Sequence, residues 1–188
     1  MLIRVSRRLV VPFLCVAGVL GAADVRAQES STLLESSVKA AYLYKFSGYV
    51  EWPATSFESA TSPLVFGVIG DPEVADELER LTRSRQSGQR PVSVVRLHAF
   101  DHLPPIHVLF IGRSQADRLG ALIRTAHDRP ILVTTDTEHA IAQGSMINFS
   151  NVDGHVRFEV GLGAARQVGL TLSSRLLAVA LAVVTRNP

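Results

Sequence analysis

Three histidines lie close enough in the chain to suggest a metal site: His98, His102 and His107. Imidazole nitrogen is a common zinc ligand, and a zinc site needs such side chains to converge. Pro104 and Pro105 interrupt any helix that would bring the first two histidines to one face. His107 lies in an apolar run, where an imidazole hydrogen-bonded within the core is the usual case. The pattern therefore favours a core histidine over a zinc site.

Two glycine-containing segments lie where nucleotides or other ligands often bind. Gly161-Leu-Gly163-Ala-Ala-Arg166 follows a predicted strand, but Arg stands where close helix packing needs a small residue, so we interpret it as a helix start. Gly67-Val-Ile-Gly70-Asp71-Pro72 lies at the carboxyl end of a strand, where doubly wound sheets bind ligands, but lacks a phosphate-binding pattern. A Gly-x-Ser-x-Gly nucleophile elbow is absent from the sequence. We predict no enzyme activity, no cofactor and no metal.

Aromatic residues are concentrated in one short stretch of the chain. It contains the single Trp, Trp52, and all three Tyr, at positions 42, 44 and 49. Apolar residues before it recur at intervals of three and four, which predicts an amphipathic helix, and Pro53 forces Trp52 out of helical geometry. We interpret the rings mainly as fastening this helix to a sheet. A binding role for Trp52 and Tyr49 stays open.

The elements that must position these residues follow from the apolar runs and the turn signals. Asp153-Gly154 separates two strictly alternating segments, a strong hairpin signal. Strands alternating with helices favour a largely parallel sheet. The fold expected is α/β: a single-domain sandwich with a mostly parallel mixed β-sheet, helices on both faces, and a C-terminal antiparallel hairpin at the edge. The predicted strands are Leu64–Ile69, Val92–Leu97, Ile106–Ile111, Ile131–Val133, Met146–Ser150 and His155–Val160.

Helix boundaries follow from capping residues. Thr32 with Glu35 forms a capping box for the first helix, and Asp71 before Pro72 predicts the start of the second. Ser114 with Asp117 predicts a third helix start, and Asp136 to Gln143 a short helix. Ser173-Ser174-Arg175 opens a last helix, Leu176 to Val184, that is apolar all round. Such a helix must be buried or covered by a partner.

Residues 1–27 have the features of a secretory signal peptide. Arginines precede an apolar run from Leu9 to about Ala23, and Val25-Arg26-Ala27 supplies a small-residue cleavage site. The segment holds four of the arginines, one aspartate and the single cysteine, so the formal net charge changes from +2 to −1 on cleavage. The mature domain, residues 28–188, then has no basic excess for nucleic-acid binding and no cysteine for a disulfide. The expected location is the periplasm.

Four blocks of the sequence together resemble the YfiR-like family, in order and in spacing. They run from about residue 39 to residue 184, nearly the whole predicted mature chain. Each block alone is a weak signal, whereas the combination is specific. The blocks are "KAAYLYKFSGYVEWP", "HVLFIG", "GSMINF" and "VRFEVGLGAARQVGLTLSSRLL".

This resemblance implies a periplasmic, non-enzymatic α/β domain that is often a homodimer. The best-understood members repress a membrane diguanylate cyclase by binding its periplasmic portion, and an OmpA-like outer-membrane lipoprotein sequesters them. Cyclic-di-GMP output and biofilm formation are then regulated. Other members accompany sensor kinases or outer-membrane receptors. Well-known repressors carry cysteine pairs, which residues 28–188 lack, so redox control does not carry over.

The predicted dimer or partner surface combines the apolar C-terminal helix, the outer face of the hairpin and the aromatic corner at Trp52. Arg157 and Glu159 on the hairpin face could alternatively be a solvated ion pair with no binding role. The alternative function for the whole chain is a small-molecule sensor. In the sensor, the ring cluster and the strand ends near Gly70 would form a pocket. The candidate binding residues are Tyr49, Trp52, Asn148, Arg157, Glu159, Arg175, Leu177 and Leu181.

Overall fold

The computed structural model describes residues 20–84, 90–98 and 103–185. The chain divides into two units, Met1–Thr32 and Leu33–Pro188. The predicted signal peptide lies outside the described residues up to position 19.

The helices are α1 (Leu20–Phe46), α2 (Pro72–Ser84), α3 (Leu119–Ala126), α4 (Leu162–Gln167) and α5 (Ser174–Ala178). The strands are β1 (Val50–Glu51), β2 (Leu64–Ile69), β3 (Val92–Arg96), β4 (Val108–Ile111), β5 (Leu132–Thr135), β6 (Ile147–Val152), β7 (His155–Gly161), β8 (Thr171–Leu172) and β9 (Ala182–Val184).

The main sheet has seven strands in the order β3-β2-β4-β5-β6-β7-β9. All neighbouring pairs are parallel except β6 and β7, which form an antiparallel hairpin. Every residue of the central strands β4 and β5 is buried, as the continuous apolar character of β4 predicts for that strand. The α/β fold with a mostly parallel mixed sheet is therefore confirmed.

The hairpin turn is also as predicted. Asp153 and Gly154 both have positive φ, 51° and 75°, which is the backbone of a type I′ turn. The hairpin is not at the edge of the sheet, however, because β9 pairs with the outer side of β7.

The last helix starts where the sequence predicted, with Ser173 as its N-cap, but the prediction that it extends to Val184 is wrong. The helix stops at Ala178, and the same apolar run continues as β9. The N–H of Leu181 donates to the Phe158 carbonyl at 2.8 Å, which starts the pairing with β7. A short apolar run does not distinguish a helix from a strand by its periodicity, and the β-branched Val183 and Val184 favour the strand.

Two other predicted helix starts are wrong. α1 begins at Leu20, so Thr32 lies inside it, because the residues between are mostly good helix formers without proline. Ser114 does not cap α3, which begins at Leu119 after a 3₁₀-helix, Arg113–Arg118. Its hydroxyl instead donates to the Gly70 carbonyl at 2.7 Å.

The predicted short helix after β5 is reduced to turns and a 3₁₀-helix, Ile141–Gln143. His139 has φ of +58°, which interrupts any α-helix at this point. The start of α2 is as predicted, since the Val74 N–H donates to Asp71 Oδ1 at 3.0 Å. The small antiparallel sheet of β1 and β8 was not predicted.

Candidate functional site

The aromatic residues of the first helix fasten it to the hairpin. The ring of Phe46 lies 4.9 Å from that of Phe158 and 5.8 Å from that of Phe149. Tyr42 contacts the same two rings and stacks on Phe46 at 5.7 Å. The interpretation of the helical rings as core packing is confirmed for these residues.

Trp52 belongs to a second ring group. It contacts Phe57 and His107 edge to face, at 6.4 and 6.5 Å between ring centroids. Phe57 stacks on His107 at 4.3 Å, and the Arg90 guanidinium lies 3.8 Å above the Phe57 ring. Tyr49, at the turn after α1, is exposed. A cavity of about 350 Å³ opens next to Trp52, Phe57 and Arg90.

His107 is a hydrogen-bonded core residue, as predicted. Its Nδ1 accepts from the Val65 N–H at 3.1 Å, so Nε2 carries the proton and donates to the Ser56 carbonyl at 3.0 Å. Burial lowers the pKa of His107 below its ordinary value, which keeps the ring neutral. His98 is exposed, and His102 lies outside the described residues. Within the described ranges, no group of three or more metal-ligating side chains converges.

A second cavity, of about 340 Å³, opens at the carboxyl end of β2. Gly70, Asp71, Arg96 and Gln115 contribute to its lining. Burial raises the pKa of Asp71 above its ordinary value, although the hydrogen bond from the Val74 N–H opposes this shift. The cavity lies where the glycine segment predicted a ligand site.

The Trp52 cavity lies at the other end of β2, because Leu64 at the amino end of that strand lines it. The Trp52 cavity and the Gly70 cavity are therefore separate, and they do not form the single pocket that the sensor hypothesis assumed.

An ionic cluster, formed by Glu35, Lys39, Arg113 and Asp136 around a buried Lys39–Asp136 pair, was missed by the sequence analysis. Lys39 Nζ lies 2.6 Å from Asp136 Oδ2 and 2.6 Å from Glu35 Oε1, and the Lys39 and Asp136 side chains are 4% and 2% exposed. Arg113 contacts the same two carboxylates. The available signal was positional, because Asp136 and Arg113 both follow the carboxyl ends of adjacent parallel strands.

The ionic cluster holds α1 against the ends of β4 and β5. Burial raises the pKa of Glu35, but the hydrogen bond and charge of Lys39 and the charge of Arg113 outweigh it, so the pKa lies below its ordinary value. The arrangement balances two cations against two carboxylates. It therefore fastens α1 to the sheet through Asp136 Oδ2, whereas the buried Asp136 Oδ1 has no hydrogen-bond partner among the described residues.

The predicted outer face of the hairpin is only partly accessible. Asn148 is 5% exposed, and its Oδ1 accepts from the Thr135 hydroxyl at 2.7 Å. The prediction that Asn148 contributes to an outer binding face is therefore wrong, because the side chain is used inside the domain. Arg157 is exposed and Glu159 half-buried on the same face of β7.

Exposed large apolar residues are concentrated in one short stretch of the described chain, positions 179 to 184. We call Val179, Leu181, Val183 and Val184 the C-terminal apolar surface; their exposed fractions are 69%, 54%, 39% and 40%. Leu176 is buried, Leu177 is half-buried, and Arg175 is exposed at the start of α5. Among the described residues, β9 has no strand on its outer side.

An α/β domain with exposed apolar side chains along one sheet edge has the features of a domain that binds another protein. The chain belongs to the YfiR/HmsC-like family, whose sequence profile matches residues 36–181. This membership suggests a periplasmic regulator of a diguanylate cyclase and not an enzyme. Comparison with curated proteins finds no match.

Among the described residues, no helix combines the length and the hydropathy that a membrane span requires.

Proposed function

We propose that this chain is a periplasmic regulatory protein that represses a membrane-bound diguanylate cyclase, or a related membrane sensor, by binding its periplasmic portion. Repression lowers cyclic-di-GMP and hence biofilm formation. The observation that carries the proposal is the family match over residues 36–181. The proposal includes removal of residues 1–27 as a signal peptide. It also includes a homodimer as the free form and an OmpA-like outer-membrane lipoprotein as a competing partner, with no role for nucleic acid.

The C-terminal apolar surface is the part of the described molecule that best fits such a partner. A folded domain rarely leaves several large apolar side chains exposed together unless another molecule covers them. Leu181 is more than half exposed and Leu177 lies half-buried in the same segment. Arg157 and Arg175 place positive charge beside it.

A regulator of this kind acts by differential affinity. It holds the cyclase in its inactive state because it binds that state more tightly than the active one. Shifting the inactive fraction from 1% to 99% requires a preference of about 5.5 kcal/mol. The protein therefore works in a fixed ratio to its target and turns over no substrate.

The test is complementation of a deletion strain, with cyclic-di-GMP measured in cell extracts. Deletion should raise cyclic-di-GMP, wild-type protein should restore the low level, and Leu181→Asp should fail because it places a carboxylate on the apolar surface. Ala121→Asp, an equally charged change at an exposed position of α3, is the control and should restore repression. Unchanged cyclic-di-GMP on deletion would refute the proposed function.

The cavity at Gly70 supports a second candidate, a small-molecule sensor that signals to a kinase or receptor. A thermal-shift screen with aromatic amino acids, nucleotides and cell-wall fragments tests it. A ligand at a hundred times its dissociation constant adds about 2.7 kcal/mol of stability. Gln115→Trp, which fills the mouth of this cavity, should remove the shift. A shift that survives this change would place the ligand elsewhere.

A further inference from the structure

The outer edge of β9 is open to another strand. β9 pairs in parallel with β7 on its inner side, through Glu159 with Ala182, Val160 with Val183, and Gly161 with Val184. No described strand lies on its other side, so that side has unpaired backbone donors and acceptors. An extended segment of another chain can add there by main-chain hydrogen bonding.

β9 is an edge strand of only three residues, and shortness is one way in which sheet edges limit such pairing, but two other common protections are missing from it. Edge strands are commonly protected by charged side chains, prolines or bulges. From Leu181 to Thr185 the chain carries no charge and no proline. The exposed valines, with no charge or proline among them, therefore leave this short edge able to accept one added strand.

The side chains around the edge indicate the charge of that occupant. Three exposed arginines lie on the elements next to β9: Arg157 on β7, Arg166 on α4, which contacts β9, and Arg175 on α5, which leads into it. None of the three forms an ion pair with another described residue. Glu159, half-buried on β7, is the acidic side chain among them. We call the elements β7, α4 and α5 the rim of this edge; with three arginines and one glutamate, the rim carries a net positive charge.

This charge argues against a second copy of the chain on the same edge. Pairing of two β9 strands would bring the arginines of one rim towards those of the other, and like charges across paired strands are destabilising. An acidic segment would instead be attracted to the rim, which favours both encounter and register.

We propose that β9 binds an extended apolar segment of the protein partner, flanked by Asp or Glu, by strand addition at its outer edge. This inference rests on the proposed function, since it describes how the regulator contacts its target. The apolar side chains of the segment cover Leu181 and Val183, and its acidic ends face Arg157, Arg166 and Arg175.

The first experiment uses a defined probe, the peptide Asp-Glu-Val-Thr-Val-Thr-Val-Asp-Glu, against the full chain without residues 1–27. We expect binding by fluorescence polarisation that weakens with salt, because the charged contacts are exposed. The same peptide with Lys in place of each acidic residue should bind at least about tenfold more weakly. Equal binding of both peptides, or no binding of either, would overturn the inference.

Two protein variants test the contacts. Arg157→Glu should weaken binding of the acidic peptide by about tenfold, and Val183→Lys should weaken it at least as much. Arg124→Glu, the same charge change at an exposed position of α3, should leave binding unchanged. Circular dichroism of each variant checks that it is folded. Loss of binding in Arg124→Glu would show that only net charge matters and would overturn the inference.

Oligomeric state and repression distinguish this inference from the proposed function. A dimer that Val183→Lys converts to monomer would show that a second copy occupies the edge, and the inference would fail. If Arg157→Glu and Val183→Lys still restore low cyclic-di-GMP in the deletion strain, the inference fails while the proposed function stands. If peptide binding is as expected but deletion leaves cyclic-di-GMP unchanged, the proposed function fails and the edge serves another acidic partner.

Discussion

The two edges of the main sheet differ in how they are protected. β3 ends at Arg96, whose guanidinium lies 2.6 Å from Asp76 and 2.8 Å from Glu79, both on α2. The β3 edge therefore ends in a charged side chain, Arg96, whose ion pairs fasten the strand to α2. β9 at the opposite edge carries only apolar side chains, and its outer side is open in the described molecule. The comparison therefore indicates that another protein strand would bind at the β9 edge and not at the β3 edge.

The centre of the sheet should matter most for folding, since both edges depend on it. Asp136→Ala removes a buried carboxylate and leaves Lys39 without one of its two partners. We expect a loss of about 3–5 kcal/mol in the free energy of unfolding, measured by urea denaturation. Asp128→Ala, at a fully exposed carboxylate, is the matched control and should change stability by less than about 0.5 kcal/mol. Equal stability of the two variants would contradict a structural role for the ionic cluster.

Closing the open edge should affect binding and leave folding intact. Val183→Lys in β9 should abolish repression in the deletion strain, while the unfolding free energy changes by less than about 0.5 kcal/mol, because Val183 is exposed. Ser93→Lys makes the same kind of change on β3 and should leave repression unchanged. If both variants lose repression equally, the two edges are not different in function.

Removing the protection of the other edge should make the molecule associate. Arg96→Val breaks the contacts with Asp76 and Glu79 and extends the apolar side chains of β3. We expect a loss of about 1 kcal/mol in stability, since these pairs are near the surface. Light scattering should show an increased mass at high concentration. An unchanged mass would show that Arg96 does not protect this edge.

The β3 half of the sheet should also respond to acid through His107. Its pKa is lowered in the folded protein because of burial, so the unfolded chain binds the proton more readily. The stability it contributes is complete above the ordinary value of 6.5 and is lost as the pH falls below it. The melting temperature should therefore fall between about pH 7.5 and about pH 5. His107→Gln should flatten this part of the profile, and an unchanged slope would contradict the assignment.

The sequence predicted the elements whose patterns are local. The hairpin depends on Asp153-Gly154 between alternating segments, and α2 depends on Asp71 and Pro72, so both were predicted correctly. The conformation of residues 176–184 was not predicted correctly, because pairing with the free edge of β7, an earlier part of the chain, turns the end of this run into a strand. Local pattern does not contain that information.

The candidate site shows the same limit. Leu181 was predicted to lie in a helix and instead lies just before β9, although it is exposed as a partner surface requires. Asn148 was predicted to lie on the outer face and is buried against Thr135. The ionic cluster joins residues about a hundred positions apart, such as Lys39 and Asp136. Such pairs become visible only when the order of the strands is known.

The most direct test of the account is hydrogen–deuterium exchange of the full chain, without residues 1–27, mixed with the purified periplasmic portion of a membrane diguanylate cyclase from the same organism. Residues 181–185 should be protected on mixing, while β3 should exchange at its original rate. Protection at β3 or around Gly70, with residues 181–185 unchanged, would contradict the claim that this protein acts through its open sheet edge.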